Sequence, residues 1–207
     1  MTQQQNRVVT EHQQLRADIY QLLAALLRQT PTADLLQFLS ELELDSDSDN
    51  AMNRAWHGLK LAAQGQEVAP LEDEYFNLFI GLGHGEVIPY TSWYLTGSLM
   101  DQPLALLRQD LARLGFARQD EVKEPEDHLA ALCEVMAHLL LEAGQHEQLT
   151  FWQRHLAPWV ETFFTDLGKA KNAAFYAAVA ALGTAFFATE KTTFGNQVLD
   201  VNVQQTG

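Results

Sequence analysis

The chain has 207 residues, of which 47% are hydrophobic and 19% are charged. This length and composition are typical of a globular protein with one domain or two small lobes, and they exclude collagen-like and disordered chains. The 13 Lys and Arg residues stand against 27 Asp and Glu residues, which gives a formal net charge of −14. Such a charge repels phosphate backbones, so we expect no nucleic acid partner, whereas a basic peptide is compatible with it.

The sequence predicts a cytoplasmic protein. The single cysteine, Cys133, cannot form an internal disulfide, and the polar stretch MTQQQNRVVTEHQQ lacks the apolar region of a signal peptide. The longest run without charge, 172–189, has an apolar part shorter than the roughly 20 residues that a membrane span needs. We therefore expect no stable insertion into a membrane.

Apolar residues at helical spacing dominate the chain and predict an all-α fold, a helical bundle of about eight helices. The predicted helices cover about 11–29, 31–42, 51–64, 70–80, 104–114, 125–144, 146–168 with a bend at Pro158, and 172–190. The charged connector 116–124 is the predicted hinge between an N-terminal lobe, about 1–115, and a C-terminal lobe, about 125–191. The remaining stretch, 192–207, is polar and without periodicity, which is typical of a disordered tail.

Patterns typical of catalytic and metal sites are absent from the sequence. It contains no Gly-x-Ser-x-Gly, no His-x-x-x-His and no Cys-x-x-Cys. Cys133 lies on the apolar stripe of its helix, which indicates a packing role. The alternating glycines at 81, 83 and 85 lack the Lys-Ser/Thr of a phosphate-binding loop. We therefore predict neither a metal nor a cofactor.

Two segments remain as candidates for binding, and the first of them is aromatic. Six rings surround a glycine-rich loop: Tyr75, Phe76, Phe79, Tyr90, Trp93 and Tyr94. These rings form either part of the core or a groove for an apolar helix or an extended peptide. In the second case, the neighbouring carboxylates could pair with basic residues of the ligand: Glu72, Asp73, Glu74 and Glu86.

The second segment is Glu124-Pro125-Glu126-Asp127-His128. Proline at the first helical position and acids in the first turn are typical of a helix start, and this structural role explains part of the segment. A carboxylate cluster beside the predicted hinge is also suited to a guanidinium, held bidentately by Asp127 or Glu124.

The two segments together carry a family resemblance. The pairing of Tyr75-Phe76-Asn77-Leu78-Phe79-Ile80-Gly81 and Pro89-Tyr90-Thr91-Ser92 with the later Glu-Pro-x-Asp-His resembles the TorD/DmsD family. Those proteins are cytoplasmic chaperones for molybdenum-containing oxidoreductases. The resemblance implies a single all-helical chaperone domain over 1–191 and a tendency to dimerise, in some members by domain swapping.

The resemblance also implies a function without catalysis. Family members bind the apo form of a client reductase, usually including its twin-arginine signal peptide, assist insertion of the molybdenum cofactor, and delay export until the enzyme is complete. By motif match, the peptide-binding role falls on ten residues of this chain: Tyr75, Leu78, Phe79, Pro89, Tyr90, Ser92, Glu124, Pro125, Asp127 and His128.

Two alternatives remain open. One is an assembly factor for a client without a signal peptide, such as a formate dehydrogenase or a nitrate reductase-like subunit. The other is an enzyme that uses His128 with Asp127 or Glu124 as an acid–base pair, although adjacent residues at a helix start do not point at one another. The sequence does not identify the client.

Overall fold

The chain is almost entirely helical, which confirms the predicted all-α class. The computed structural model of the protein describes residues 9–45, 48–117 and 122–206. These residues form ten α-helices and two π-helical turns, rather than about eight helices. Within the described ranges, no helix combines the length and the apolar character that a membrane crossing needs. The elements are α1 (Glu11–Arg28), α2 (Ala33–Glu41), α3 (Ala51–Ala63), α4 (Val68–Tyr75), a π-turn (Phe76–Ile80), α5 (Thr91–Thr96), α6 (Gln102–Arg113), α7 (Leu129–Glu142), α8 (Gln145–Phe151), a second π-turn (Trp152–Leu156), α9 (Val160–Lys169) and α10 (Phe175–Thr206).

Local capping signals set most helix starts within a few residues of their predicted positions. The side chains of Thr10, Thr32 and Asn50 accept hydrogen bonds from the first turns of α1, α2 and α3. The prediction that Pro31 opens the second helix is wrong by two positions, because Thr32 is the N-cap. At Pro158 the predicted bend is a full break, since α9 begins only at Val160.

A single apolar core connects the two predicted lobes. Helix α7 is central and contributes eight buried residues to this core. It packs against α1, while α10 packs against α3 and α9. The buried cluster runs from Ala17 in α1 to Phe194 in α10 without a division. The boundaries of the lobes and the hinge at 116–124 stay predictions, and residues 118–121 of that hinge lie outside the described residues.

The predicted end of helical structure near residue 190 is wrong, because α10 continues to Thr206. Glu190 is fully buried and accepts two hydrogen bonds from the Arg16 guanidinium, at 2.6 and 2.9 Å. One turn later, Phe194 stacks on Trp152 with their ring centroids 5.1 Å apart. These contacts with distant parts of the chain hold the helix as far as Phe194, beyond the end that local periodicity predicts.

Candidate functional site

The glycine-rich loop is tightly packed against a π-turn. Helix α4 ends at Tyr75, and the turn Phe76–Ile80 then closes with a hydrogen bond from the Gly81 N–H to the Phe76 carbonyl, 2.7 Å long. Gly81 has a φ of 59°, and a Cβ on Gly85 would overlap the backbone of Leu78. The glycines are therefore needed for close backbone contact. Phe76, Phe79 and Ile80 of the turn line a cavity together with Glu124 and His128 of the second segment.

Backbone hydrogen bonds join the two segments of the motif. Tyr90 and His128 form an isolated antiparallel bridge. The Thr91 N–H donates to the Asp127 carbonyl at 3.0 Å, and the Leu129 N–H donates to the Pro89 carbonyl at 2.8 Å. The start of α5 and the start of α7 are thus held side by side, although about 35 residues separate them in the chain.

The Asp127 carboxylate lies inside this junction. Its Oδ2 accepts hydrogen bonds from the Ser92 N–H at 2.9 Å and from the Ser92 hydroxyl at 2.6 Å. Both side chains are fully buried, and Asp127 Oδ1 has no hydrogen-bond partner among the described residues. In this arrangement Asp127 holds α5 to α7 and does not present its carboxylate to solvent.

His128 is the N-cap of α7. Its Nδ1 accepts a hydrogen bond from the Ala130 N–H at 3.1 Å, so the proton of the neutral ring resides on Nε2. Burial lowers the pKa of His128 to about 4, and the positive charge of Arg28 acts in the same direction. The ring meets Tyr90 edge to face, with centroids 5.0 Å apart. His128 and Asp127 therefore use their side chains for different structural contacts, and this geometry does not support an acid–base pair between these two residues.

A cleft of about 460 Å³ lies in front of this junction. Six of the ten predicted site residues line it: Tyr75, Phe79, Pro89, Tyr90, Glu124 and His128. Leu78, Ser92 and Asp127 are buried behind its wall. Pro125 lines a neighbouring cavity of about 450 Å³, which Glu124 shares. The structure thus brings the ten residues into one region but exposes only part of them to a ligand.

The cleft has an apolar side and a charged side. The Tyr75 hydroxyl donates to the Leu27 carbonyl at 3.2 Å, and burial raises the pKa of Tyr75 to about 12. The Tyr75 and Phe79 rings are 5.0 Å apart. Partial burial raises the pKa of Glu124, an effect that Arg28 opposes and Asp127 reinforces. A ligand with apolar and cationic groups would meet matching surfaces here.

Two of the four acids expected to meet a basic ligand are engaged elsewhere in the fold. Glu74 accepts three hydrogen bonds from backbone N–H groups at the start of α10, at 2.8 to 3.2 Å. Glu86 accepts from the Lys171 N–H at 2.7 Å. Glu72, in contrast, lines the cleft and is exposed. Asp73 is exposed but does not line the cleft, so the acids that face a ligand there are Glu72 and Glu124.

Sequence reasoning missed Arg28, which also lines the cleft. Its guanidinium pairs with Glu134 of α7, at 2.7 and 3.0 Å. The sequence places Arg28 in the last turn of α1, where a cation is usual for the helix dipole, and gives no sign of its partner. Ile80 was also missed, and Phe76 was considered as a groove ring but is not among the ten residues of the motif match; the exposed apolar side chains of both extend the lining.

Comparison with known proteins agrees with this architecture. Residues 45–165, more than half of the chain, match the family model described as nitrate reductase delta subunit. The chaperone protein TorD of Aliivibrio fischeri is 29% identical over 202 residues, which cover 86% of this chain and 94% of that protein. TorD of Shewanella piezotolerans is 27% identical, with 84% of this chain and 89% of that protein covered.

A solved structure shares the fold. It is a candidate redox enzyme maturation protein from Archaeoglobus fulgidus, which superposes with a TM-score of 0.60 at 16% identity and covers 90% of this chain and 99% of its own. At that identity the likeness concerns the fold alone. The family match covers both segments of the motif and all of the cleft lining except Arg28, Gln29 and Thr30. The chain therefore belongs to the nitrate reductase delta subunit family, together with the TorD-type chaperones of redox enzyme maturation that its motifs resemble.

Proposed function

We propose that the protein is a cytoplasmic chaperone that binds the apo form of a molybdenum-cofactor oxidoreductase and its twin-arginine signal peptide. In this role it assists cofactor insertion and delays export until the client is complete. The main support for this proposal is the cleft, in which the rings of Tyr75, Phe79 and Tyr90 lie next to two carboxylates, Glu72 and Glu124. The names of the TorD relatives support the chaperone role.

Different residues of the cleft contact different parts of the leader peptide. The rings bury apolar side chains of the leader, which contributes on the order of 25 cal/mol per Å² before the cost of association. Glu72 and Glu124 receive the guanidinium groups, which pair with carboxylates more specifically than ammonium groups do. Ser92, Asp127 and Leu78 support the wall from behind, and Pro125 starts the turn that positions Glu124.

The test is a calorimetric titration of a synthetic twin-arginine leader peptide. Tyr90→Ala should weaken binding about tenfold because it removes a ring from the wall. Glu124→Gln should weaken it about threefold to tenfold, whereas Glu67→Gln, an exposed acid outside the cleft, should not. A leader with two lysines should bind less tightly than the twin-arginine leader. Equal affinity of the wild type and both cleft variants would overturn the proposed site.

A client without a leader is the second candidate. The description of the matching family model, nitrate reductase delta subunit, favours it. Pull-down of the apo catalytic subunit with and without its N-terminal leader separates the two. Capture that needs the leader supports the first proposal, and equal capture of both forms supports the second. Dimerisation, including domain swapping, is a further proposal from the resemblance, and light scattering of the purified protein tests it.

A further inference from the structure

A second, larger concavity lies on a different side of α1. This groove, the α1–α3–α10 groove, has a volume of about 970 Å³, roughly twice that of the cleft. Its lining is mainly apolar and includes Leu15, Ile19, Phe38, Met52, Trp56 and Phe186. Leu15 and Phe38 at its rim are each 56% exposed. Exposed apolar side chains around a concave surface are typical of an interaction site.

The groove has the size of a helix. An apolar segment of about seven residues in α-helical form is about 10 Å long and 10–12 Å wide, so its volume is on the order of 1,000 Å³. The cleft, at about 460 Å³, accommodates a few side chains but not such a helix. The groove, at about 970 Å³, accommodates the apolar face of one.

The charges around the groove indicate a basic occupant. Asp18 lines it and is exposed, and the exposed acids Glu41 and Glu43 flank the lining residue Leu42. The lining residue Arg16 does not offset these charges, because its guanidinium is buried against Glu190. Lys60 donates to the Leu42 carbonyl at 2.7 Å and offsets one of the three acids, so these groups keep a net negative charge. An apolar helix with Lys or Arg along its flanks is complementary to this surface.

The positions along α1 indicate that the occupant is separate from the leader. Ile19 in the groove and Arg28 at the cleft are nine residues apart, which corresponds to about 14 Å along the helix and about 180° around it. The groove and the cleft therefore lie on opposite sides of α1. A segment in the cleft must pass around the helix before it reaches the groove.

We infer that the α1–α3–α10 groove binds an amphipathic α-helix of a partner protein, with an apolar face and basic flanks, at a site independent of the leader cleft. The apolar face covers Leu15 and Phe38, and the flanks pair with Asp18, Glu41 and Glu43. This goes beyond capture of a leader, because it gives the chaperone a second contact with a folded or folding client.

The probe is a fluorescein-labelled helical peptide of about 14 Leu and Lys residues, and its affinity is measured by fluorescence anisotropy. The Leu15→Ser/Phe38→Ser double variant should weaken binding at least tenfold. It keeps the net charge of the protein, so nonspecific attraction between opposite charges would not change. Leu61→Ser is the matched control, because Leu61 lies on α3, is 70% exposed and is outside the groove.

Further arms test the charge and the independence of the site. A Leu/Glu peptide of the same pattern should bind at least tenfold more weakly, and Asp18→Lys, at an exposed position, should weaken the Leu/Lys peptide at least threefold. An unlabelled twin-arginine leader should not displace the probe. Unchanged affinity of the double variant, or displacement by the leader, would overturn the inference. So would a wild-type dimer that the double variant converts to a monomer, because a second copy would then cover the groove. Failure of the leader to bind would count against the proposed function alone.

Discussion

The role of Asp127 can be tested by its stability effect. Asp127→Ala removes the acceptor of two buried hydrogen bonds from Ser92, 2.9 and 2.6 Å long. Hydrogen bonds to a charged group contribute about 1.5–3 kcal/mol each, which gives a gross loss of about 3–6 kcal/mol. The other carboxylate oxygen, Oδ1, has no partner among the described residues, so its burial is unfavourable. The alanine variant no longer buries this oxygen, which offsets part of the lost stability. We expect a net loss of about 3 kcal/mol in the free energy of unfolding.

Two further variants separate the contribution of the carboxylate charge from that of the hydrogen bonds themselves. Asp127→Asn keeps an oxygen that can accept both bonds, and we expect a loss of about 1 kcal/mol because a neutral acceptor is weaker. Ser92→Ala removes the hydroxyl bond but keeps the backbone bond, and we expect a loss of about 1.5 kcal/mol. Urea unfolding followed by tryptophan fluorescence measures all three. For a chain of this size, the Asp127→Ala variant should melt about 6–12 °C below the wild type.

The same variants decide whether Asp127 touches the ligand. Because its carboxylate is buried behind the cleft, Asp127→Asn should bind the twin-arginine leader within about threefold of the wild type. A loss of tenfold or more in that variant, at nearly unchanged stability, would refute the supporting role and restore the guanidinium contact that the sequence predicts. A loss of stability below about 1 kcal/mol in Asp127→Ala would refute the hydrogen-bond argument itself.

Three other predictions follow from the site. His128 has a folded-state pKa of about 4, below its unfolded value, so its stabilising contribution should decrease by about 3 kcal/mol as the pH falls from about 6.5 to 4. His128→Asn keeps a side chain that can cap the helix but does not titrate, so its stability should decrease less at acid pH. Urea unfolding at several pH values measures this, and an equal decrease in the wild type and the variant would contradict the prediction. Gly85→Ala should destabilise by about 2 kcal/mol, because its Cβ would overlap the Leu78 backbone, whereas Gly58→Ala, with open space in α3, should be neutral or slightly stabilising in thermal melts. Arg28→Gln removes a cation from the cleft and should tighten leader binding about threefold in calorimetry; weaker binding would show that Arg28 contacts the ligand favourably.

The helices could be predicted where their signals are local. The long amphipathic helix α1 starts and ends within one residue of its predicted range. Helix α7 ends close to its predicted position, but the prediction that Pro125 opens it is wrong, because His128 is the N-cap and the helix begins at Leu129. Helix α5 was missed because its six residues are too short to show periodicity. The continuation of α10 was missed because Glu190 and Phe194 find their partners in α1 and in the second π-turn, far away in the chain.

The sequence predicts where the site lies, but not which of its side chains face a ligand. The two motif segments meet, and six of the predicted residues line one cleft. The neighbours Asp127 and His128 nevertheless direct their side chains to different partners, because the backbone is extended at the N-cap of α7 and not yet helical. Asp127 turns to Ser92, and His128 lines the cleft while it caps the helix. Arg28 enters the site only through the packing of α1 on α7, which no local pattern predicts.

The net charge of −14 is a poor guide to the surface that a ligand meets. Near the cleft, Glu74 is used by the start of α10, Glu86 by the Lys171 backbone and Asp127 by Ser92. Hydrogen bonds to backbone N–H groups fix these carboxylates in place, and a ligand would have to break the bonds to use them. Glu72 and Glu124 remain at the mouth of the cleft, next to the rings. Two available carboxylates beside an apolar wall match a peptide in which two guanidinium groups precede an apolar stretch. The net charge counts every acid of the chain, whereas a ligand meets only the acids that the fold has not already engaged.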